Sequence, residues 1–259
     1  MTTLYEHPLS PYAQKVKIAL YEKGIPFEAK TPNLFGETER DFLESSPRRE
    51  VPSLIDGDFT VFDSTVILEY IEDRWPDPPL RPGSPRDRAR VRMLEDQCDT
   101  YVEAINWGVA EIRVFGRAKD ELAEQMTKRA GEQLAGVHRW LERELGDRLW
   151  FNGERFGWGD LCVWPYVAAS AMTGFPPPAG SRVTEWLERA SARDSTKRCV
   201  AAVAPVMASF QNLGSVVESG LFVREYRDHR LEWMLRSGGL PIVVDGHAKK
   251  NIRFAIEIA

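Results

Sequence analysis

A chain of 259 residues is long enough for one large domain or two modest ones, and 43% hydrophobic with 28% charged residues is the composition of an ordinary globular protein. A net charge of −5 at pH 7, with no basic stripe, argues against a nucleic-acid or anionic-membrane surface. No apolar run is long enough to cross a bilayer and the start lacks the charged-then-apolar pattern of a signal peptide, so the cytoplasm is the expected location. Cys98, Cys162 and Cys199 are too far apart for zinc or redox spacing, and an odd, unclustered set suits a reducing compartment. His7, His138, His229 and His247 form no metal-binding pattern and read as surface residues, so no metal is expected.

The first third alternates strand and helix. Thr3, Leu4 and Tyr5 read as the end of a short buried strand, and Val16, Ile18, Ala19 and Leu20 fall at helical spacing up to a stop at Gly24. Between them stands Ser10, with Pro11 after it; a proline suits the first helical turn, where its missing N–H would be unpaired anyway. A helix N-terminus carries unpaired N–H groups and a partial positive charge, which favour an anion such as a thiolate or phosphate. Ser10 is therefore either an N-cap, a role serine fills routinely, or a hydroxyl aimed at such an anion. A second strand follows over residues 26–30 and a short charged helix over 38–44. VPSLIDGDFTVFDS then places two apolar runs around Asp56, Gly57 and Asp58, a strong hairpin signal. A helix runs through STVILEYIEDRW, with Val66, Ile67, Tyr70 and Ile71 on one face.

Residues 76–87 pack five prolines and one glycine into twelve positions and read as a linker without helix or strand. Beyond it the pattern is helical over 88–114, 120–145, 159–171, 183–192 and 216–237. Residues 240–244 are bulky and β-branched and read as a strand, and Ile252, Phe254, Ile256 and Ile258 alternate with period two. The expected division is an α/β domain over 1–77, a linker over 78–87, an all-α domain over 88–237 and a C-terminal extension over 238–259.

A βαβ-α-ββα domain, a proline-rich linker and an all-helical domain together resemble the glutathione transferase superfamily, here a serine-type, cytosolic, bacterial member. The resemblance reaches to roughly Arg198 and rests on four segments in order. SPYAQKVKIAL is similar to the family's strand-to-helix turn, SPRREVPSLIDGD to its N-P-x-G-x-V-P-x-L-x-D-G segment, FDSTVILEYIEDRWP to its E-S-x-x-I-x-x-Y-L segment, and FGWGDLCVWPY to the buried helix start of its second domain.

The resemblance implies a thioredoxin-like first domain, a two-fold homodimer and glutathione as co-substrate, with no metal and no nucleic-acid or membrane partner. It implies a cis bond at Val51-Pro52, which would turn the Val51 N–H and C=O toward the extended cysteinyl backbone of glutathione. Glu50 and Arg49, beside that bond, would also belong to the glutathione site, Arg49 by pairing with a glutathione carboxylate or else standing solvated, as Arg48 could. Asp63 and Ser64 would hold the γ-glutamyl end at a helix N-terminus, although both also suit a plain N-cap. Ser10 stands where related transferases place a catalytic serine or cysteine; a hydroxyl donating to the glutathione sulfur, with the helix field, lowers the thiol pKa. Tyr5 and Tyr12 are the competing donors. A serine cannot form a mixed disulfide, so conjugation is expected over thiol transfer. Tyr101, Asn106, Trp107, Glu111 and Phe115 would line the pocket for a small hydrophobic electrophile, or else serve core packing. Residues after Gly239 would fold over the cleft between the domains.

The chain departs from the pattern at Ser46 and Arg49, where the family has Asn and Gly. Glu37, Thr38 and Glu39 lack the basic residues several classes use for the glycyl carboxylate. Gly157 replaces the Ser/Thr of a capping box that ends in Asp160. These departures support a rival reading, a non-catalytic transferase-like interaction protein. Specialised chemistry such as ether cleavage, isomerisation or dehalogenation shares the thiolate step.

Overall fold

The computed structural model describes residues 2–33, 39–116, 118–209, 231 and 239–249. The first unit contains β1 (Thr2–Tyr5), α1 (Pro11–Glu22), β2 (Phe27–Lys30), α2 (Arg40–Ser45), β3 (Ser53–Asp56), β4 (Phe59–Phe62) and α3 (Ser64–Arg74). The strands form one mixed sheet in the order β2-β1-β3-β4. β1 runs parallel to β2 and antiparallel to β3, with Leu4 opposite Leu54 and Tyr5 opposite Ser53. β3 and β4 pair from Asp56 opposite Phe59, leaving Gly57 and Asp58 as a two-residue turn. Gly57 has φ +66, a conformation that two-residue hairpin turns require. The order is that of a thioredoxin-like unit.

The remainder is helical: α4 (Pro85–Gln97), a π-helical turn (Cys98–Val102), α5 (Glu103–Arg113), α6 (Asp120–Leu145), α7 (Trp158–Met172), α8 (Arg182–Ser191), α9 (Asp194–Ser209) and α10 (Leu240–Ala248). α1 packs against α3, α7 and α9. One continuous apolar cluster runs from Leu4, Val16 and Leu54 through Val91, Leu94 and Val102 to Leu161, Tyr166 and Trp186. Each fully buried side chain of this kind contributes about 1.5–3 kcal/mol, so the joint between the two units is part of the core.

Four expectations need correction. The long helix begins at Pro85, inside the expected linker, because Ser84 caps it by accepting the Asp87 N–H at 3.0 Å while Pro85 takes the first helical position. It is broken by the π turn, in which the Glu103 N–H reaches the Cys98 carbonyl. Residues 240–244 are helical; Pro241 opens α10, and Leu240, Ile242 and Val244 stand exposed on it, which does not fit a strand laid over a cleft. His138 is buried, because it shares the inward face of α6 with Leu134, Val137 and Leu141. The helix expected over 216–237 and the alternating segment at 252–258 lie outside the described residues, Leu231 apart. Among the described residues no helix is long and apolar enough to cross a membrane.

The proline-rich connection is held in place. Lys23 and Glu72 form a buried ion pair at 2.6 Å; Lys23 donates to the carbonyls of Trp75 and Pro78, and Glu72 accepts the N–H groups of Leu80 and Arg81. A stretch with few backbone donors of its own is thus fixed by one buried cation and one buried anion.

Candidate active site

The turn from β1 to α1 is braced at each residue. The Ser10 N–H donates to the His7 carbonyl at 2.8 Å, the Leu9 N–H reaches His7 Nδ1 at 3.3 Å, and Gln14 Nε2 donates to the Pro8 carbonyl at 2.7 Å. Ser10 is the N-cap of α1, and its Oγ accepts the Ala13 N–H at 3.3 Å. Capping uses the oxygen as acceptor only, and among the described residues the Ser10 hydroxyl proton has no acceptor. The cap and the aimed hydroxyl are therefore compatible roles. Tyr12 donates its hydroxyl to the Asp99 carbonyl at 2.6 Å. The Tyr5 ring packs on Phe42 of α2 with centroids 5.2 Å apart, and burial raises its phenol pKa.

The second wall comes from the loop before β3. Ser46 Oγ donates to the Glu50 carbonyl and accepts the Glu50 N–H, at 2.9 and 3.0 Å, so a serine closes the loop where the related pattern has asparagine. Arg49 has φ +55, a left-handed conformation that explains why glycine suits this position. The Val51-Pro52 peptide is cis, as is Asp77-Pro78. Among the described residues the N–H and C=O of Val51 have no hydrogen-bond partner, so an extended backbone has an open edge to pair with.

Asp63 caps α3 at φ +75; its Oδ1 accepts the N–H groups of Thr65 and Val66 at 3.1 and 3.3 Å. Its Oδ2 lies 3.7 Å from Arg48 Nη1, and that guanidinium also covers the Phe62 ring at 5.3 Å. Ser64 opens α3 and is buried. Arg48, rather than Arg49, thus carries the positive charge nearest this helix start.

A buried ionic cluster that the sequence reading did not single out joins the two units. Lys15 Nζ, fully buried, lies 2.6 Å from Glu95 Oε1, 2.5 Å from Asp99 Oδ2 and 3.3 Å from Thr65 Oγ1. Thr65 and Trp158 Nε1 donate to Glu95 at 2.8 and 2.7 Å, and the Tyr166 hydroxyl donates to Asp99 Oδ1 at 2.6 Å. Burial works against charge on Glu95, yet Lys15 and these donors outweigh it and lower the pKa; on Asp99 burial wins and the pKa is raised. The signal was available: Lys15 and Glu95 interrupt the apolar faces of their helices. Burial pushes the thiols of Cys98, Cys162 and Cys199 up, so none is a ready nucleophile.

The five expected pocket residues do not share one face. The Trp107 and Phe115 rings meet at a tilt of 50° with centroids 5.6 Å apart, and Glu111 is buried. Asn106 turns to α7, donating to the Tyr166 carbonyl at 3.0 Å and accepting the Ser170 hydroxyl at 2.8 Å. Tyr101 instead lines a groove of about 730 Å³ between α5 and α6, floored by Ile105, Gly108, Ile112, Met126 and Ala130. That groove opens on the opposite side of the helix from Asp99 and Asn106.

A thioredoxin-like unit with a capping serine at its first helix, a cis-proline loop and an all-helical partner defines a transferase-type architecture. Residues 4–79 match the family described as glutathione S-transferase, N-terminal domain, and residues 121–189 match glutathione S-transferase, C-terminal domain. The chain is 34% identical to glutathione S-transferase U28 of Arabidopsis thaliana over 61% of its own length and 68% of that protein. It is 40% identical to a stringent starvation protein A homolog of Coxiella burnetii over 75% of its length and 89% of that protein. Among solved structures, a rice glutathione S-transferase in complex with glutathione aligns at TM-score 0.65 and 28% identity, covering 80% of this chain and 98% of that one. One from Rhodospirillum rubrum aligns at TM-score 0.68 and 26% identity, covering 77% and 91%. The chain belongs to the glutathione S-transferase superfamily.

Proposed function

We propose that this protein is a catalytic glutathione transferase that activates the glutathione thiol through Ser10 and adds the sulfur to a small hydrophobic electrophile. The observation that carries the reading is the Ser10 hydroxyl at the N-terminus of α1, its oxygen accepting at the cap and its proton without an acceptor among the described residues. A thiolate placed there gains one hydrogen bond and the partial positive charge of the helix start, both stronger for the thiolate than for the thiol. The Val51 amide, unpaired among the described residues, supports a role in holding the cysteinyl backbone, with Pro52 fixing the turn beside Glu50. Asp63 and Ser64 support the γ-glutamyl end. Trp107, Glu111 and Phe115 are the electrophile-side candidates. The buried, unpaired thiols accord with a cytoplasmic location, and the resemblance implies a two-fold homodimer with the first domain of one chain against the second domain of the other.

A second reading is favoured by the stringent starvation protein A homologs among the relatives and by Arg49 in place of glycine: a transferase-like protein that binds other proteins without catalysis. Retention on immobilised glutathione followed by turnover of an aryl halide supports the enzyme. Neither retention nor turnover supports the rival.

A further inference from the structure

The loop between α2 and β3 carries Arg48 to the start of α3. Ser46 Oγ bonds both the N–H and the carbonyl of Glu50, which closes the loop over 46–50 and sets Arg48 at its middle. There the guanidinium lies over the Phe62 ring, 5.3 Å from its centroid, a contact that restrains the head of a long side chain. Phe62 directly precedes Asp63, so the ring brings the cation to the cap of α3. Arg48 Nη1 lies 3.7 Å from Asp63 Oδ2 and 4.0 Å from Glu50 Oε2. Both separations are those of an ion pair, and both are too long for a hydrogen bond. Arg49, next along the loop, forms no ion pair among the described residues.

Two opposite charges thus face each other with their hydrogen bonds unmade. Among the described residues none of the five N–H groups of the Arg48 guanidinium makes a hydrogen bond. Asp63 Oδ2 accepts none either, because the cap of α3 uses Oδ1. A ligand with an ammonium and a carboxylate on one carbon meets both groups with matched sign. A ligand carrying only one of these charges draws one partner off and leaves the other unmatched. The planar, five-donor fork of an arginine suits a carboxylate in particular.

We propose, resting on the glutathione reading above, that Arg48 is a specificity-determining residue: with Asp63 it forms a two-charge clamp for the α-amino acid head of the γ-glutamyl group. Asp63 Oδ2 takes the ammonium and the Arg48 guanidinium takes the α-carboxylate. Glu50 remains as a counter-ion for Arg48 once Asp63 has turned to the ligand. The clamp therefore selects thiol peptides whose first residue is joined through its side chain, since only these keep both charges on the α-carbon. An ordinary α-linked peptide has spent that carboxylate in its peptide bond.

The test measures Kd by titration calorimetry for wild type and Arg48→Gln with three thiols. These are glutathione, γ-glutamylcysteine, which lacks the glycyl carboxylate, and 4-aminobutanoyl-cysteinylglycine, which lacks only the α-carboxylate. Arg48→Gln is expected to weaken glutathione and γ-glutamylcysteine by about tenfold each, the loss of a hydrogen bond to a charged group, and the 4-aminobutanoyl peptide by less than about twofold. Arg48 is half-exposed, so the variant should melt with wild type. An equal loss with all three thiols, or none with any, overturns the clamp and leaves the glutathione reading intact. A loss with glutathione and the 4-aminobutanoyl peptide but not with γ-glutamylcysteine also overturns it, because Arg48 then holds the glycyl carboxylate. If wild type binds none of the three, the glutathione reading fails and the clamp with it.

Discussion

Lys15 Nζ lies 2.6 Å from Glu95 Oε1 with both side chains removed from water, an ion pair that ties α1 to α4 beneath the candidate site. Taking either charge out of water is expensive, and the pair is tolerated because Thr65, Trp158 and Asp99 complete its hydrogen bonds. The partners are not equivalent. Lys15→Met leaves two buried carboxylates facing each other and should cost about 3–5 kcal/mol. Glu95→Gln keeps an oxygen for Thr65 or Trp158 and leaves Asp99 to hold the ammonium, so about 1–2 kcal/mol is expected. Urea unfolding gives the order, and a larger loss for Glu95→Gln would refute this account.

The same carboxylate gives a pH dependence. The folded pKa of Glu95 is held below its ordinary 4.5, so its contribution is complete above that value and is lost as pH falls through the folded pKa. Wild type should therefore lose stability in acid more steeply than Glu95→Gln, measured as melting temperature between neutral and acid buffer.

Ser10→Ala should lower turnover by about 10²-fold with little loss of glutathione affinity, since the hydroxyl acts on the thiolate and the transition state. The lost cap adds about 1 kcal/mol of destabilisation, which calorimetry separates from the kinetic effect. An active Ser10→Ala beside a dead Tyr5→Phe would move the role to Tyr5. Tyr12→Phe should act on stability, because its hydroxyl is bound to Asp99.

Asp63 performs two tasks that one substitution can part. Asp63→Asn keeps an oxygen for the Thr65 and Val66 amides and tolerates φ +75, but removes the negative charge. Melting should change little, while glutathione binding weakens by about tenfold, the loss of one hydrogen bond to a charged group. Unchanged affinity in titration calorimetry would remove Asp63 from the ligand site and leave it as a cap.

The order of strands and helices was legible because periodicity, Gly57 and the prolines at helix starts are local signals. What the sequence hid depends on distant partners. α9 contains an alanine-rich run and an internal Pro205, which erase its period, and packing on α1 decides it. α10 has the β-branched run of a strand, but Pro241 supplied a helix start that outranks it. Lys15, Glu72 and Glu95 stand on the buried faces of their helices, but the counter-ion of each comes from another element, which no local pattern shows. His138 could have been placed from its spacing to Leu134 and Leu141 alone. Ser10, Val51 and Asp63 were legible as a set because each follows from one local device: a cap, an X-Pro bond and a second cap.

Gly157 shows the limit of local rules. It is the N-cap of α7, and serine or threonine would ordinarily cap better, by a few tenths of a kcal/mol over glycine. Here a Cβ would stand 2.3 Å from Asn152 Nδ2 and 2.4 Å from the Leu80 carbonyl oxygen. Asn152 could turn aside, but the Leu80 backbone cannot: its carbonyl accepts the Trp158 N–H at 2.9 Å and its N–H is held by Glu72. Asp160 already closes the helix start, accepting from Gly157, Phe151, Asn152 and Trp186, so a new hydroxyl adds little. Gly157→Ser should therefore destabilise by about 1–3 kcal/mol, the usual cost of overpacking, despite the better capping residue. Asn152→Ala should not rescue it, since the backbone clash persists. A raised melting temperature for Gly157→Ser would mean that the linker yields, and that Trp158 is not held rigidly against Glu95 by this contact.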